Sequence, residues 1–165
     1  MQEDRDMKID ILAVGKIRED FYRDAADEYI KRLSRYTKLN IIEVKDEKTV
    51  EGASDHENDL VKSAEAKRLQ QYLCDDAVLI PLCIEGKELS SEEFADTITS
   101  IENRGCSHIQ FVIGGSLGLD EVLKKKGLMK LSFSRMTFPH QLMRVVLLEQ
   151  IYRAYRIKNN EPYHK

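Results

Sequence analysis

The 165-residue chain has no tryptophan, three prolines, eight glycines and three cysteines. So little proline and glycine argues against extended low-complexity linkers. Cys74, Cys83 and Cys106 form no CxxC pair, and their odd number argues against a disulfide framework. Unpaired thiols point to a reducing compartment, and four scattered histidines complete no zinc motif, so no metal is expected. No apolar run approaches the roughly 20 residues that span a bilayer. Residues 1–6 are polar and acidic, the opposite of a signal peptide. The expected location is the cytoplasm, with no membrane partner. A net charge of −3 excludes a uniformly basic nucleic-acid binder, though not a local basic face.

What is present is a globular composition, 42% hydrophobic and 33% charged, of one domain's length. Patterning begins at Met7, so residues 1–6 read as an N-terminal extension and 7–165 as a single domain. Lys8–Val14 is apolar, β-branched and closed by Gly15, a strand. Phe21, Ala25, Tyr29 and Leu33 recur at i, i+4 and predict an amphipathic helix over 18–36. A second strand follows at 39–45. Ser54-x-x-Glu57 and Ser90-x-x-Glu93 are capping boxes that open two further helices. Between them, 77–84 is a nearly continuous apolar run that suits a strand buried on both faces. Its Pro81 cannot donate to a ladder and predicts an irregularity or the strand's end. His108–Ile113 is another buried strand, 120–126 a short helix, 131–134 a last strand, and 141–155 a helix behind Pro139. Strands alternating with helices predict an α/β domain, a mainly parallel sheet flanked by helices. Ligands of such sheets sit beyond the carboxyl ends of the strands, here the loops after Ile84, Ile113 and Ser134.

Charge is unevenly spread. Residues 129–165 carry seven Lys/Arg and two Asp/Glu, a net +5, against −8 for residues 1–128. This basic quarter is either a solvated helix face or a phosphate-contacting surface.

Three segments invite chemistry. Gly114-Gly115-Ser116-Leu117-Gly118 follows a buried strand, where glycines let backbone approach a ligand. Its GGxxG spacing matches neither the dinucleotide fingerprint nor a P-loop, and a plain tight turn explains it equally well. Residues 132–140 set Phe133, Met136 and Phe138 among Ser134, Arg135, Thr137 and His140. They either cap the core or line an apolar slot for a ligand. The helix over 141–155 is apolar on two stripes, Leu142, Val145, Val146, Tyr152 and Met143, Leu147, Ile151, Ala154. A monomer needs one, so the other predicts contact with a second subunit. Glu149 and Arg153 can pair at i, i+4, whereas Arg144 has no such partner and is available to an anion. The tail Tyr163-His164-Lys165 is either frayed or able to stack on a base, move a proton and hold a phosphate. His108 reads as structural, His56 as solvated and His140 as ambiguous. On these residues alone an RNA-modifying enzyme, a nucleotide-using small-molecule enzyme and a non-catalytic ribosome-binding module stand level.

The segments MKIDILAVGKIRE, FVIGGSLGL, LSFSRMTFPHQLMRVVLLEQIYRAYRI and NEPYHK together resemble the RlmH family, SPOUT-class methyltransferases of large-subunit ribosomal RNA, over about 155 residues. The resemblance implies a C-terminal trefoil knot, a homodimer, and S-adenosylmethionine as methyl donor. It implies N3 of a specific pseudouridine in 23S ribosomal RNA, in the 70S ribosome or large subunit, as acceptor. It implies a donor site of Leu82, Gly114, Gly115, Phe133, Ser134, Arg135, Met136, Thr137 and Phe138. Tyr163 and His164 match the family's tail near the acceptor base, with His164 the candidate base by residue type and Tyr163 a stacking group. Arg144 matches a helix arginine on the same side, expected at a phosphate.

Overall fold

The computed structural model describes residues 6–165, so most of the expected N-terminal extension lies outside the described residues. Five strands alternate with five helices in the order β1 (Lys8–Val14), α1 (Asp20–Leu33), β2 (Lys38–Val44), α2 (Asp55–Gln70), β3 (Val78–Glu88), α3 (Ser91–Asn103), β4 (His108–Ile113), α4 (Glu121–Lys126), β5 (Leu131–Ser132) and α5 (His140–Lys158). The strands form one parallel sheet in the order β2-β1-β4-β3-β5. The expected α/β class and parallel sheet are thus what the chain adopts.

Period-2 alternation along the strands makes two cores. Ile9, Ile11 and Ala13 of β1 and Ile109, Phe111 and Ile113 of β4 face α1, α3 and α5. Leu12, Val14 and Val112 turn the other way, against Ala66 and Leu69 of α2 and Leu123 of α4. The sheet is therefore a middle layer buried on both sides, which explains the unbroken apolar runs.

Pro81 acts as its chemistry demands. Pairing of β3 with β4 ends at Pro81–Val112. Beyond it the strand runs on, bulged, beside β5. Gly127 lies against the Pro81 ring so closely that a Cβ there would sit 2.3 Å from its Cδ. The inner face of α1 differs from the expected stripe: Ala26 and Leu33 are buried, and Phe21, in the first turn, is 64% exposed. The Ser90–Glu93 box is complete. At α2, Ser54 accepts from the Glu57 N–H, but the Glu57 carboxylate returns to the Ser54 hydroxyl and not to its backbone.

Candidate active site

All the strands run the same way, so the turn after β4 and the loop after β5 meet at one edge of the sheet. There they line a cleft of about 280 Å³ with the middle of β3 and the start of α5. The volume is close to the lower end of ligand pockets, roughly 300 Å³. Leu82, Ile113, Leu117, Leu131 and Phe133 supply apolar walls, and Ser116, Ser134 and Thr137 supply hydroxyls.

Both loops are held by their own polar groups. Gly118 donates its N–H to Gly115 O at 3.0 Å. A Cβ on Gly114 would lie 2.6 Å from the Gly118 carbonyl carbon, so this tight turn admits no side chain there. In the second loop the Ser132 hydroxyl donates to Ser134 O, and the Ser134 hydroxyl accepts from Met136 N–H, each at 3.0 Å. These bonds curl the chain at Ser132 and end β5 two residues earlier than the pattern suggests.

Eight of the nine residues expected at a donor site line this cleft: Leu82, Gly114, Gly115, Phe133, Ser134, Met136, Thr137 and Phe138. Arg135 belongs to the same loop but is exposed and outside the lining. The sequence reading missed Lys124, which enters from α4 and binds Glu85 at 2.5 Å, and Met143 from α5. His140 lines the cleft too, and burial together with the Arg144 charge pushes its pKa down, favouring neutral imidazole. Behind the glycine turn lies Glu65 of α2, only 4% exposed. Burial and the charges of Asp46 and Glu47 raise its carboxyl above the usual range, against the Glu47 N–H bond and Arg68.

Arg144 corrects the sequence reading. It is not available to an anion: its side chain is fully buried, 2.6 Å from Glu43 at the end of β2. Its other guanidinium nitrogen donates to Val14 O at 3.1 Å and Gly15 O at 2.7 Å. The partner is 101 residues away, beyond the reach of any i, i+4 argument. Much of the C-terminal positive charge is likewise paired within the chain, Arg153 with Glu149, Arg156 with Glu161 and Lys158 with Glu102. Among the described residues, Lys130, Arg135 and Lys165 of that quarter carry no such partner.

The tail is ordered against α5, apart from the cleft lining. Arg156 reaches Pro162 O at 2.9 Å. The Tyr163 hydroxyl donates to Glu149 at 3.0 Å, and its ring meets Tyr152 edge-on at 4.9 Å. Burial, then the Glu149 carboxylate, push the Tyr163 pKa up to about 12, so the phenol stays protonated. His164 lies between Arg153, 3.1 Å from Nδ1, and Glu92, 2.6 Å from Nε2. Arginine only donates, so Nδ1 is the acceptor and the ring proton resides on Nε2, facing Glu92.

The family model described as "Predicted SPOUT methyltransferase" matches residues 7–164. The chain is 57% identical over 159 residues to a protein of Bifidobacterium adolescentis named ribosomal RNA large subunit methyltransferase H, covering 96% of this chain and all of that protein. It is 54% identical, with the same coverage, to a protein of that name from Clostridium botulinum. Among solved structures it resembles a methylase family protein from Haemophilus influenzae Rd KW20, with a TM-score of 0.54 at 15% identity over 95% of this chain and 70% of that one. A methylase family protein from Neisseria gonorrhoeae gives a TM-score of 0.55 at 13% identity over 100% of this chain and 89% of that one. At such identities the structures speak for the fold alone.

Proposed function

The chain belongs to the SPOUT methyltransferase family, and from that premise we propose that it methylates large-subunit ribosomal RNA. We propose S-adenosylmethionine as the donor and N3 of a specific pseudouridine in the assembled large subunit or 70S ribosome as the acceptor. The observation that carries this reading is the cleft itself. Its glycine turn and apolar loop, 18 residues apart in sequence (Gly115 and Phe133), close on one slot walled by apolar side chains and edged by the hydroxyl residues Ser116, Ser134 and Thr137. That chemistry suits an adenosine moiety.

The bound donor supplies an electrophilic methyl on a sulfonium centre. The protein's share is mainly positioning. Phe133, Leu82 and Leu117 hold the apolar part, and the backbone of 114–118 offers N–H and C=O groups to its edges. The acceptor N3 must lose its proton, and His164 is the group proposed to take it. Nδ1 of His164 is the nitrogen with a lone pair, so Arg153 must release it before it accepts a proton. Tyr163 is proposed to position the base, and Arg135, Lys130 and Lys165 to meet phosphates, in place of Arg144.

A second copy of the chain is part of this proposal. Leu147, Leu148, Ile151 and Ala154 of α5 are buried in the core, and Met143, Val145 and Tyr152 pack on it. Leu142 and Val146 join neither core, and Met136 beside the cleft is 73% exposed. A homodimer over this face would cover them and keep two basic tails near one substrate. The same family reading carries the trefoil knot and a cytoplasmic location; no helix among the described residues is long and apolar enough to cross a membrane.

The test is methyl-labelled donor incubated with large subunits, 70S ribosomes and naked ribosomal RNA, with the modified base mapped. Labelling of one pseudouridine at N3 on assembled particles is expected, with little on naked RNA. Label on another base or strong labelling of naked RNA overturns the acceptor assignment, and a folded protein that fails to bind the donor overturns the whole reading.

A further inference from the structure

At the opposite edge of the sheet from the cleft, where β1 and β4 begin, three side chains converge. Cys74 and Asp76 lie exposed in the turn that follows α2, and His108 opens β4. One possible ligand atom from each lies within 4.8 Å of the other two. In a tetrahedral zinc site with bonds of about 2.0–2.3 Å, ligand atoms stand roughly 3.5 Å apart. Closing by about an ångström is within reach of two exposed side chains, while His108, 9% exposed, stays fixed.

The surroundings orient this group. Asp10 Oδ2 holds His108 Nε2 at 2.6 Å. That leaves Nδ1, which makes no hydrogen bond among the described residues. A carboxylate behind one ring nitrogen, with the other available, is the arrangement that fixes metal-bound histidines. Gln110 ties the Cys74 turn to the same carboxylate: it donates to Asp10 at 3.0 Å and to Tyr72 O at 2.8 Å, and accepts from Cys74 N–H at 2.9 Å. The Cys106 thiol lies between Asp76 O at 3.7 Å and His108 O at 3.2 Å, stitching the two segments that carry the ligands. Two segments more than 30 residues apart are thus pinned together by residues that are not themselves the ligands.

We propose that Cys74, Asp76 and His108 form a site for a borderline-soft divalent cation of the zinc class, with Asp10 as the carboxylate behind the histidine. One thiolate and one carboxylate balance the two positive charges. A neutral imidazole supplies the third ligand, and water takes the fourth position. Binding converts the Cys74 thiol to thiolate, so one proton leaves to solvent per ion bound and affinity falls as pH is lowered. The spacing Cys-x-Asp…His matches no zinc motif, which is why composition and spacing alone gave no hint of it.

The experiment is a Co2+ titration of the reduced full-length protein, followed by absorbance, with Zn2+ as competitor. One equivalent of Co2+ is expected to give a thiolate-to-cobalt charge-transfer band and tetrahedral d–d bands, both removed by Zn2+. Cys74→Ser abolishes the charge-transfer band, and Asp76→Asn weakens binding. Asp10→Asn lowers Co2+ affinity by roughly ten- to a hundredfold. Circular dichroism checks that each variant is folded. A folded wild-type chain with no charge-transfer band, or a band that survives Cys74→Ser, overturns the site. Donor binding is measured on the same samples and reports separately on the methyltransferase reading.

Discussion

Arg144 on α5 and Glu43 at the end of β2 meet at 2.6 Å, with the guanidinium fully buried and Glu43 a third exposed. The pair joins the last helix to an edge strand, and the same guanidinium caps the carbonyls of Val14 and Gly15 where β1 ends. Removing one partner of a buried pair costs about 3–5 kcal/mol. Glu43 can rehydrate, so Arg144→Ala should lose about 3 kcal/mol, the lower end of that range. Glu43→Gln leaves a buried cation uncompensated and should also destabilise. Urea unfolding of both variants measures this. Unchanged midpoints would return Arg144 to the list of RNA contacts.

Asp10 makes stability depend on acid. Burial pushes its carboxyl pKa up, but hydrogen bonds from Gln110, His108 and Asn40 outweigh burial and hold it below the ordinary value. A depressed carboxylate stabilises the fold above its unfolded pKa, about 3.9, and that stability is lost as pH falls through the lower folded value. Urea midpoints from pH 5 to pH 2 should therefore fall steeply for the wild type and less so for Asp10→Asn. Parallel curves would contradict the assignment.

How much of this was legible depends on range. Patterns that repeat every two or four residues were readable: the two-sided burial of β4, the Ser90 cap, the break in pairing at Pro81. The loop after β5 was readable only in part: three large apolar side chains between a strand and a helix suggested burial, yet Phe133 alone packs on the core, while Met136 and Phe138 are exposed. The environment of Arg144 was not readable, since its partner is fixed by sheet order and not by spacing. Phe21 misled for a related reason. It fits the helical stripe, yet α1 begins at Asp20, Phe21 lies in its first turn, and the buried residues of the helix are Ala26 and Leu33 further along. The positive charge of the C-terminal quarter was countable, but its neutralisation by Glu43 and Glu102 depends on tertiary contacts.

Gly114→Ala tests the donor turn. The added Cβ would lie 2.6 Å from the carbonyl carbon of Gly118 and 2.8 Å from its oxygen, both backbone atoms that cannot swing away. The turn must open, costing about 1–3 kcal/mol of stability. Donor affinity should fall by at least about tenfold, roughly 1.4 kcal/mol. Calorimetric titration with S-adenosylmethionine reads the second quantity. Unaltered affinity would remove the glycine turn from the site.

Glu65→Gln separates stability from binding. The buried carboxylate titrates above its ordinary range, so its favourable contribution is present below the unfolded pKa and lost as pH rises through the folded value. At neutral pH it therefore burdens the fold, and the amide should raise stability slightly. The same charge lies 3.2 Å from where a Gly115 side chain would begin. There it favours a cationic ligand. Donor affinity should weaken by about fivefold, close to 1 kcal/mol. Thermal melts and donor titrations on one preparation check both signs, and a variant that moves neither places Glu65 outside the site.

Tyr163→Phe probes the tail without unfolding it. The hydroxyl donates to Glu149, which also receives Arg153, and Arg153 in turn reaches His164 Nδ1. Deleting one oxygen removes a bond to a charged group worth about 1.5 kcal/mol, reduced by partial exposure. It loosens the chain of contacts that orients His164. Donor binding in the cleft involves none of these groups, so its Kd should hold while turnover on ribosomes falls. The Tyr163 pKa lies near 12, so the phenol does not ionise in an ordinary assay range. Any alkaline limb in the pH–rate profile should therefore be the same in wild type and Tyr163→Phe. A Kd that rises in step with lost turnover would tie the tail to the donor, and a limb that vanishes in the variant would make Tyr163 itself the titrating group.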